Sequence, residues 1–294
     1  MLGTEVCYGM PCGLNLRFPR SLGLIFLASL VALSLGVAQT GLPPSLPVPA
    51  HVVIVLEENH GYSEIIGSPE APYINRLAAR GASFTQSFGI THPSQPNYLA
   101  LFSGSTHGVT GDSCPHTFSA PNLASELTAA GKTFAGFSEG LPSVGSQVCN
   151  AGKYARKHCP WTNFTNVPSS DNQPVTSFPT NFSDLPTVSW VIPNLDYDMH
   201  DGTVEQADTW LKTNLASYVA WAQNNNSLLI ITWDEDADTD VNQIPTIFVG
   251  PMVKPGKYSE KINHYSVLRT LEAIYGLPYA GKSASVNTIT DIWQ

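Results

Sequence analysis

The feature that most constrains this chain is a continuous β-branched run, His51 to Leu56. A strand wetted on one face alternates apolar and polar side chains, whereas an unbroken run belongs in a sheet covered on both faces. Ser227 to Trp233 is a second such run and the strongest strand in the sequence. Shorter strand signals fall at Ser83 to Ser87, Thr133 to Phe137, Thr187 to Ile192 and Ile244 to Val249. Helical patterns separate them: Pro72 to Arg80 closed by Gly81, Pro96 to Phe102, Asn122 to Ala130 stopped by Gly131, Thr203 to Gln223, and His264 to Tyr275 ended by Gly276. Strands alternating with helices predict an α/β fold with a mostly parallel central sheet and helices on both faces. Residues 138–186 are irregular and rich in Pro, Ser, Asn and aromatics. That is long for a structureless connection, so this stretch is expected to form a cover or a substrate-side insertion.

Charged residues make up only 13% of the chain while apolar residues make up 43%, which excludes a disordered polyelectrolyte. The net charge of −9 argues against a nucleic-acid partner. Arg17 and Arg20 precede an apolar run, Leu22 to Val37, and Gly36-Val37-Ala38 offers a small-residue cleavage site. Residues 1–38 therefore read as a secretory signal and 39–50 as a Pro-rich linker, with residues 51–294 as one domain. The expected location is secreted or extracytoplasmic, with no stable membrane span after cleavage. Cys7 and Cys12 fall in the leader, which leaves Cys114, Cys149 and Cys159. An exported chain can hold a disulfide; spacing alone does not choose between Cys114–Cys149 and Cys149–Cys159, and the first is preferred because it would staple two long loops.

In sheets of this kind ligands bind beyond the carboxyl ends of the strands. After the first strand come Glu58, Asn59 and His60; after Thr187–Ile192 come Asp196, His200 and Asp201; after Ser227–Trp233 come Asp234, Glu235 and Asp236; and His264 opens the last helix. Carboxylates gathered at one edge repel one another unless a cation intervenes. Glu58, Asn59, Asp234 and Glu235 are hard oxygen donors suited to a divalent cation. Asp196, His200 and His264 form a mixed oxygen–nitrogen set, a second metal site or a catalytic group without an ion. Ser94 lies at a predicted helix start, where its hydroxyl can cap the helix or attack a phosphate in the positive field of the helix end. Asn97, one turn on, is placed to donate to a phosphoryl oxygen. His92 and His107 are candidates to stabilise transition-state charge or to protonate the leaving group.

The stretch Thr91-His92-Pro93-Ser94-Gln95-Pro96-Asn97-Tyr98, followed by Gly104-Ser105-Thr106-His107-Gly108-Val109, resembles the nucleophile segment of alkaline-phosphatase-like phosphodiesterases, which carry Thr where Ser94 stands. Glu58-Asn59-His60, the Asp196-to-Gly202 motif and Thr232-Trp233-Asp234-Glu235-Asp236 resemble more closely the bacterial phosphoesterase family, nearest to the secreted acid phosphatases of mycobacteria. The resemblance implies that Glu58, Asn59, Asp234 and Glu235 hold a metal together with the nucleophile Ser94. It matches Asp196, His200 and His264 to the superfamily's second-metal positions. One divalent ion of unknown identity is expected and a second is left open. The implied activity is hydrolysis of phosphate monoesters through a phosphoserine. A phospholipase C acting on a diester, and a non-catalytic exported binding protein, are the alternatives. The partner is a small phosphorylated substrate or a phospholipid head group. The basic segment Lys153 to His158, inside the irregular stretch, is a candidate to receive such a head group.

Overall fold

The computed structural model describes residues 46–294. The expected secretory signal at 1–38, most of the expected linker, Cys7 and Cys12 lie outside the described residues. Thirteen strands follow in chain order among those residues: β1 (His51–Glu57), β2 (Ala82–Phe84), β3 (Ser87–Phe88), β4 (Phe134–Ser138), β5 (Asn150–Ala151), β6 (Tyr154–Ala155), β7 (Asn172–Pro174), β8 (Val188–Ile192), β9 (Ser227–Trp233), β10 (Gln243–Ile244), β11 (Thr246–Val249), β12 (Gly256–Tyr258) and β13 (Ile262–Asn263). The helices are α1 (Tyr62–Ile65), α2 (Pro72–Arg80), α3 (Ser94–Ser103), α4 (Leu123–Ala129), α5 (Val204–Ala222) and α6 (His264–Tyr275).

Eight strands form the main sheet in the order β12-β2-β11-β9-β1-β8-β4-β7. Only β11 runs against its neighbours; all other pairings are parallel. The β1 run is buried on both faces, as its composition demands. Val52, Ile54 and Leu56 enter one apolar cluster with residues of α3, α4 and α6. Val53 and Val55 enter the other, with residues of α2 and α5. Local chemistry sets the helix ends. Thr203 caps α5 with Gln206 and Asn263 caps α6 with Ser266, while α3 and α6 stop at Gly104 and Gly276, both left-handed (φ 69° and 65°).

Two expected strands each divide. The Ser83–Ser87 signal becomes β2 in the main sheet and β3 in a small sheet with β10 and β13. The chain changes sheets at Thr85 and Gln86, whose backbone groups pair with Tyr258 and Ile262. The Ile244–Val249 signal breaks at Pro245, which has no N–H for a ladder. The irregular 138–186 stretch is not only a cover, because its β7 supplies one edge of the main sheet. The linker's last residues are anchored: Pro49 carbonyl accepts from the Tyr275 hydroxyl (3.1 Å) and Val48 carbonyl from Asn226 Nδ2 (3.0 Å).

A buried acid locks the far end of α3. Glu272 of α6 accepts from Ala280 N–H (2.9 Å) and Ser283 Oγ (2.6 Å), and the same turn donates Lys282 N–H to the Gly104 carbonyl (2.7 Å). Burial, then the charge of Glu272, pushes Glu126 of α4 up to about 8. Burial likewise pushes Glu272 up to about 7, against its hydrogen bonds to Ser283 and Ala280. An acid raised on folding binds more protons folded than unfolded, so it favours the fold at low pH and that advantage is lost as pH rises through the folded value. We expect Glu126→Gln to reduce the fall in melting temperature between about pH 5 and about pH 8. Parallel thermal melts of wild type and variant at the two pH values check it; equal slopes would show that Glu126 is not the proton carrier.

Candidate active site

Three neighbouring parallel strands end at one edge of the sheet, and each runs into acid. β1 leads to Glu58 and Asn59, β9 to Asp234 and Glu235, and β8 to the loop carrying Asp196, Asp198, His200 and Asp201. Pairing continues past the strand ends. Asp234 N–H donates to the Glu57 carbonyl (3.1 Å) and Glu58 N–H to the Asp198 carbonyl (2.7 Å), so the loops leave the sheet side by side.

Glu58 is fully buried at their centre. Its Oε2 accepts from Ser94 Oγ (3.0 Å) and its Oε1 from the Tyr98 hydroxyl (2.5 Å). Ser94 Oγ also lies 3.2 Å from Glu235 Oε1. Helix α3 begins at Ser94 rather than Pro96, so the hydroxyl stands between two carboxylates at the positive end of a helix. Pro96 is tolerated in the first turn, where its missing N–H would have had no helical partner.

His92 supports this arrangement from behind. Its Nδ1 is 2.7 Å from Glu235 Oε2 and its Nε2 is 3.1 Å from the Thr239 carbonyl. Burial works to lower the imidazole's pKa, but these contacts outweigh it and raise it. Asn97 uses its amide on the loop itself: Oδ1 accepts from Ile90 and Thr91 N–H (2.8 and 3.1 Å), and Nδ2 donates to the Thr91 and Pro93 carbonyls (2.7 and 3.3 Å). Asn97 thus clamps the loop that carries Ser94 with both ends of its amide. His107 is displaced from the expected site altogether. It pairs with Ser103 Oγ (2.8 Å) and stacks on Phe118, at the opposite end of α3, about 14 Å along the axis from Ser94. Asp236 organises its own turn, accepting from Thr239 and Gln243.

The donor chemistry around Ser94 fits a hard divalent cation. Burial and then the charges of Glu58 and Glu235 hold Asp234 well above the carboxylate range. Burial also raises Glu58, against the opposing charge of His158, and Glu235, against its bonds to His92 and Ser94. Asp234 Oδ2 and Asn59 Oδ1 are buried without a hydrogen-bond partner. Carboxylates pressed toward protonation beside unpartnered oxygens are the environment that a cation relieves.

The other side of Glu58 is nitrogenous. His158 is buried, its Nε2 3.1 Å from Glu58 Oε1 and its Nδ1 3.2 Å from Asp198 Oδ2, with its ring stacked on Tyr98. Burial holds His158 down to about 4 and pushes Asp198 up to about 7. Lys157 Nζ lies 3.2 Å from His200 Nε2, and His200 Nδ1 lies 2.8 Å from Asp201 Oδ1. Sequence reasoning grouped Lys157 and His158 only as part of a basic run; that run is the one signal that pointed to them.

Asp196, His200 and His264 do not converge as a ligand set. Asp196 pairs with Lys153 Nζ (2.6 Å), which also holds Asp201 (3.1 Å). His264 is buried, donates Nε2–H to the Asp234 carbonyl (2.6 Å), and is held down to about 4 by burial. Among the described residues the cluster that does gather three ligating atoms within 4.8 Å is Glu58, His158 and His200. Lys157 already supplies a positive charge beside that cluster. Cys114 and Cys149 are joined by a disulfide, and Cys159 is free and buried.

The fold has a solved counterpart. A protein of the alkaline phosphatase superfamily from Vibrio parahaemolyticus superposes with a TM-score of 0.56, at 14% identity, over 86% of this chain and 76% of that one. The architecture is thus that of the alkaline-phosphatase-like proteins. Residues 68–278 match the Phosphoesterase family, and the chain belongs to that family. It is 56% identical over 284 residues to a phosphatidylinositol-3-phosphatase of Mycobacterium tuberculosis, covering 94% of this chain and 95% of that protein. It is 30% identical over 257 residues to a probable acid phosphatase of Kluyveromyces lactis, covering 78% of this chain and 59% of that longer protein. The protein is a hydrolase of phosphoric esters.

The His200–Asp201 pair depends on the turn that carries it. Asp201 N–H donates to the Leu195 carbonyl (2.7 Å), and a Cβ on Gly202 would fall 1.8 Å from the Asp196 carbonyl oxygen. Gly202→Ala is expected to cost about 1–3 kcal/mol of stability through this backbone clash. It should also lower turnover, since the loop must shift with His200 and Asp201. Denaturant melts and steady-state kinetics on the same preparation test both effects.

Proposed function

We propose that this protein is a metal-dependent phosphomonoesterase of the secreted acid phosphatase type, working through a phosphoserine at Ser94. The observation that carries the reading is the position of Ser94 Oγ, between Glu58 Oε2 and Glu235 Oε1 at the start of α3. Ser94 follows Pro93, the capping position, and its hydroxyl is directed at these carboxylates rather than at a helix N–H.

Glu58, Asn59, Ser94, Asp234 and Glu235 would hold the cation. When bound, it would screen the carboxylates and lower the proton affinity of the Ser94 hydroxyl. The chain's own groups then divide the work. Ser94 Oγ gives up its proton to a neighbouring carboxylate and bonds to phosphorus as the ester P–O bond breaks. The leaving oxygen takes its proton from the Lys157–His200 pair, in which the Lys157 ammonium donates to His200 Nε2 and Asp201 orients the ring at Nδ1. Water then gives a proton back to the Lys157–His200 pair as it attacks phosphorus, the Oγ–P bond breaks, and Ser94 Oγ recovers its proton from the carboxylate as inorganic phosphate departs. His92 positions Glu235, and Tyr98 and His158 position Glu58.

The 56% identity to a phosphatidylinositol-3-phosphatase supports a phosphoinositide monoester as one substrate. The N-terminal signal expected from the sequence supports export.

Ser94→Ala should lower kcat for p-nitrophenyl phosphate by at least about 10³-fold with the melting temperature of the folded protein retained. Acid quench of wild type during turnover should leave phosphate on the peptide that contains Ser94, read by mass spectrometry. A variant that keeps near-wild-type turnover would remove Ser94 as nucleophile, and preference for p-nitrophenylphosphorylcholine would favour the diesterase reading. Chelation should abolish activity and lower the melting temperature, with both restored by a divalent cation. Full activity in chelator, with no metal found by elemental analysis, would refute metal dependence.

A further inference from the structure

Asp112 lies on the loop after α3, and sequence reasoning gave it no role. Its Oδ1 accepts from the backbone N–H of Gln95 (3.0 Å), the residue after Ser94 in the first turn of α3. Its Oδ2 accepts from Lys157 Nζ (2.8 Å), the ammonium that also lies 3.2 Å from His200 Nε2. These two donors are the amide of the residue after Ser94 and an ammonium in contact with His200. A carboxylate with one oxygen on each has the charge and the acceptor geometry of one edge of a phosphoryl group.

The carboxylate is also free to leave. Its side chain is 30% exposed. Gly111 beside it has open space where a Cβ would stand. Two residues further on, Cys114 is tied to Cys149. Burial works to raise the acid's pKa, but the bonds from Lys157 and Gln95 outweigh it and keep it ionised.

We propose that Asp112 is a built-in anionic placeholder, which occupies the Gln95 amide and Lys157 until the phosphoryl group of a substrate, or product phosphate, displaces it. This rests on the phosphatase reading of the same site. Each phosphoryl group that binds must break two charge-assisted hydrogen bonds, so Asp112 weakens phosphate binding and speeds product release.

The test is calorimetric titration of inorganic phosphate into the metal-loaded protein, with Asp112→Asn and Asp112→Ala compared with wild type. Both variants are expected to bind phosphate roughly tenfold more tightly, because a competing charged acceptor has been removed. KM for a monoester should fall in step, and product inhibition should deepen. Unchanged phosphate affinity in both folded variants overturns the proposal. Weaker affinity also overturns it, since that result belongs to a residue that merely positions Lys157. A fall in kcat with affinity unchanged would mark a proton donor instead, and counts against it equally. Ser94→Ala separates this from the parent reading. If that variant loses turnover while Asp112→Asn leaves phosphate affinity alone, the placeholder fails and the phosphatase stands; if it retains turnover, the phosphoserine reading fails whatever Asp112 does.

Discussion

The site depends on one interaction, the burial of the Glu58 carboxylate among Ser94, Tyr98 and His158. The group has no exposed surface, so each of its oxygens must be satisfied by protein or by a cation. Its partners come from two segments far apart in the chain: the start of α3, and the turn of the irregular stretch that holds Lys157 and His158. A single carboxylate therefore sets the position of Ser94 and the position of the irregular segment together. Hydrogen bonds in such a dry place are stronger than in water, and a missing partner is correspondingly costly. That coupling explains why Tyr98, a residue with no evident chemistry of its own, stacks on His158 while donating to Glu58.

The parallel sheet makes the convergence possible. Strands β8, β1 and β9 run the same way and lie side by side, so their carboxyl ends deliver three acidic loops to one edge. Helices on both faces keep those strands dry and straight, and the buried acids at the far end of α3 anchor the helix that presents Ser94. The one antiparallel strand, β11, sits beyond β9 and leaves this edge undisturbed.

Much of this was legible in the sequence because strands buried on both faces leave a continuous apolar signature, and chemistry follows their ends. Glu58, Asp234 and Glu235 stand directly after the two strongest runs, and Ser94 at a helix start. The strand breaks at Thr85 and Pro245 were harder to read, since the local composition on either side still favours extended chain. The hydrogen-bond partners of Asn97 and His107 were not legible for a shared reason. Residue type and spacing do not reveal which hydrogen-bond partner wins, and in both cases groups within a few residues captured the side chain. His158 was hidden for the opposite reason. An aperiodic segment carries it to Glu58, 100 positions away in the sequence, by contacts that leave no pattern.

The charge of the cover resolves a difficulty posed by the composition. A chain of net charge −9 must still attract a phosphate ester to an edge lined with carboxylates. Positive charge reaches that edge through one short segment, whose members do separate jobs. Arg156 turns inward and spends its guanidinium on Gln147 and Thr162, which holds the segment in place. Lys153 pairs with Asp196 and Asp201 at the rim. Lys157 carries its ammonium to His200 Nε2. Since the Cys114–Cys149 bridge joins this segment to the loop of Asp112, the positive charge and the carboxylate it binds are held together by the same covalent tie. The acidity of the molecule is thus met by a local arrangement of neighbours, and its average composition says little about the field that a substrate meets.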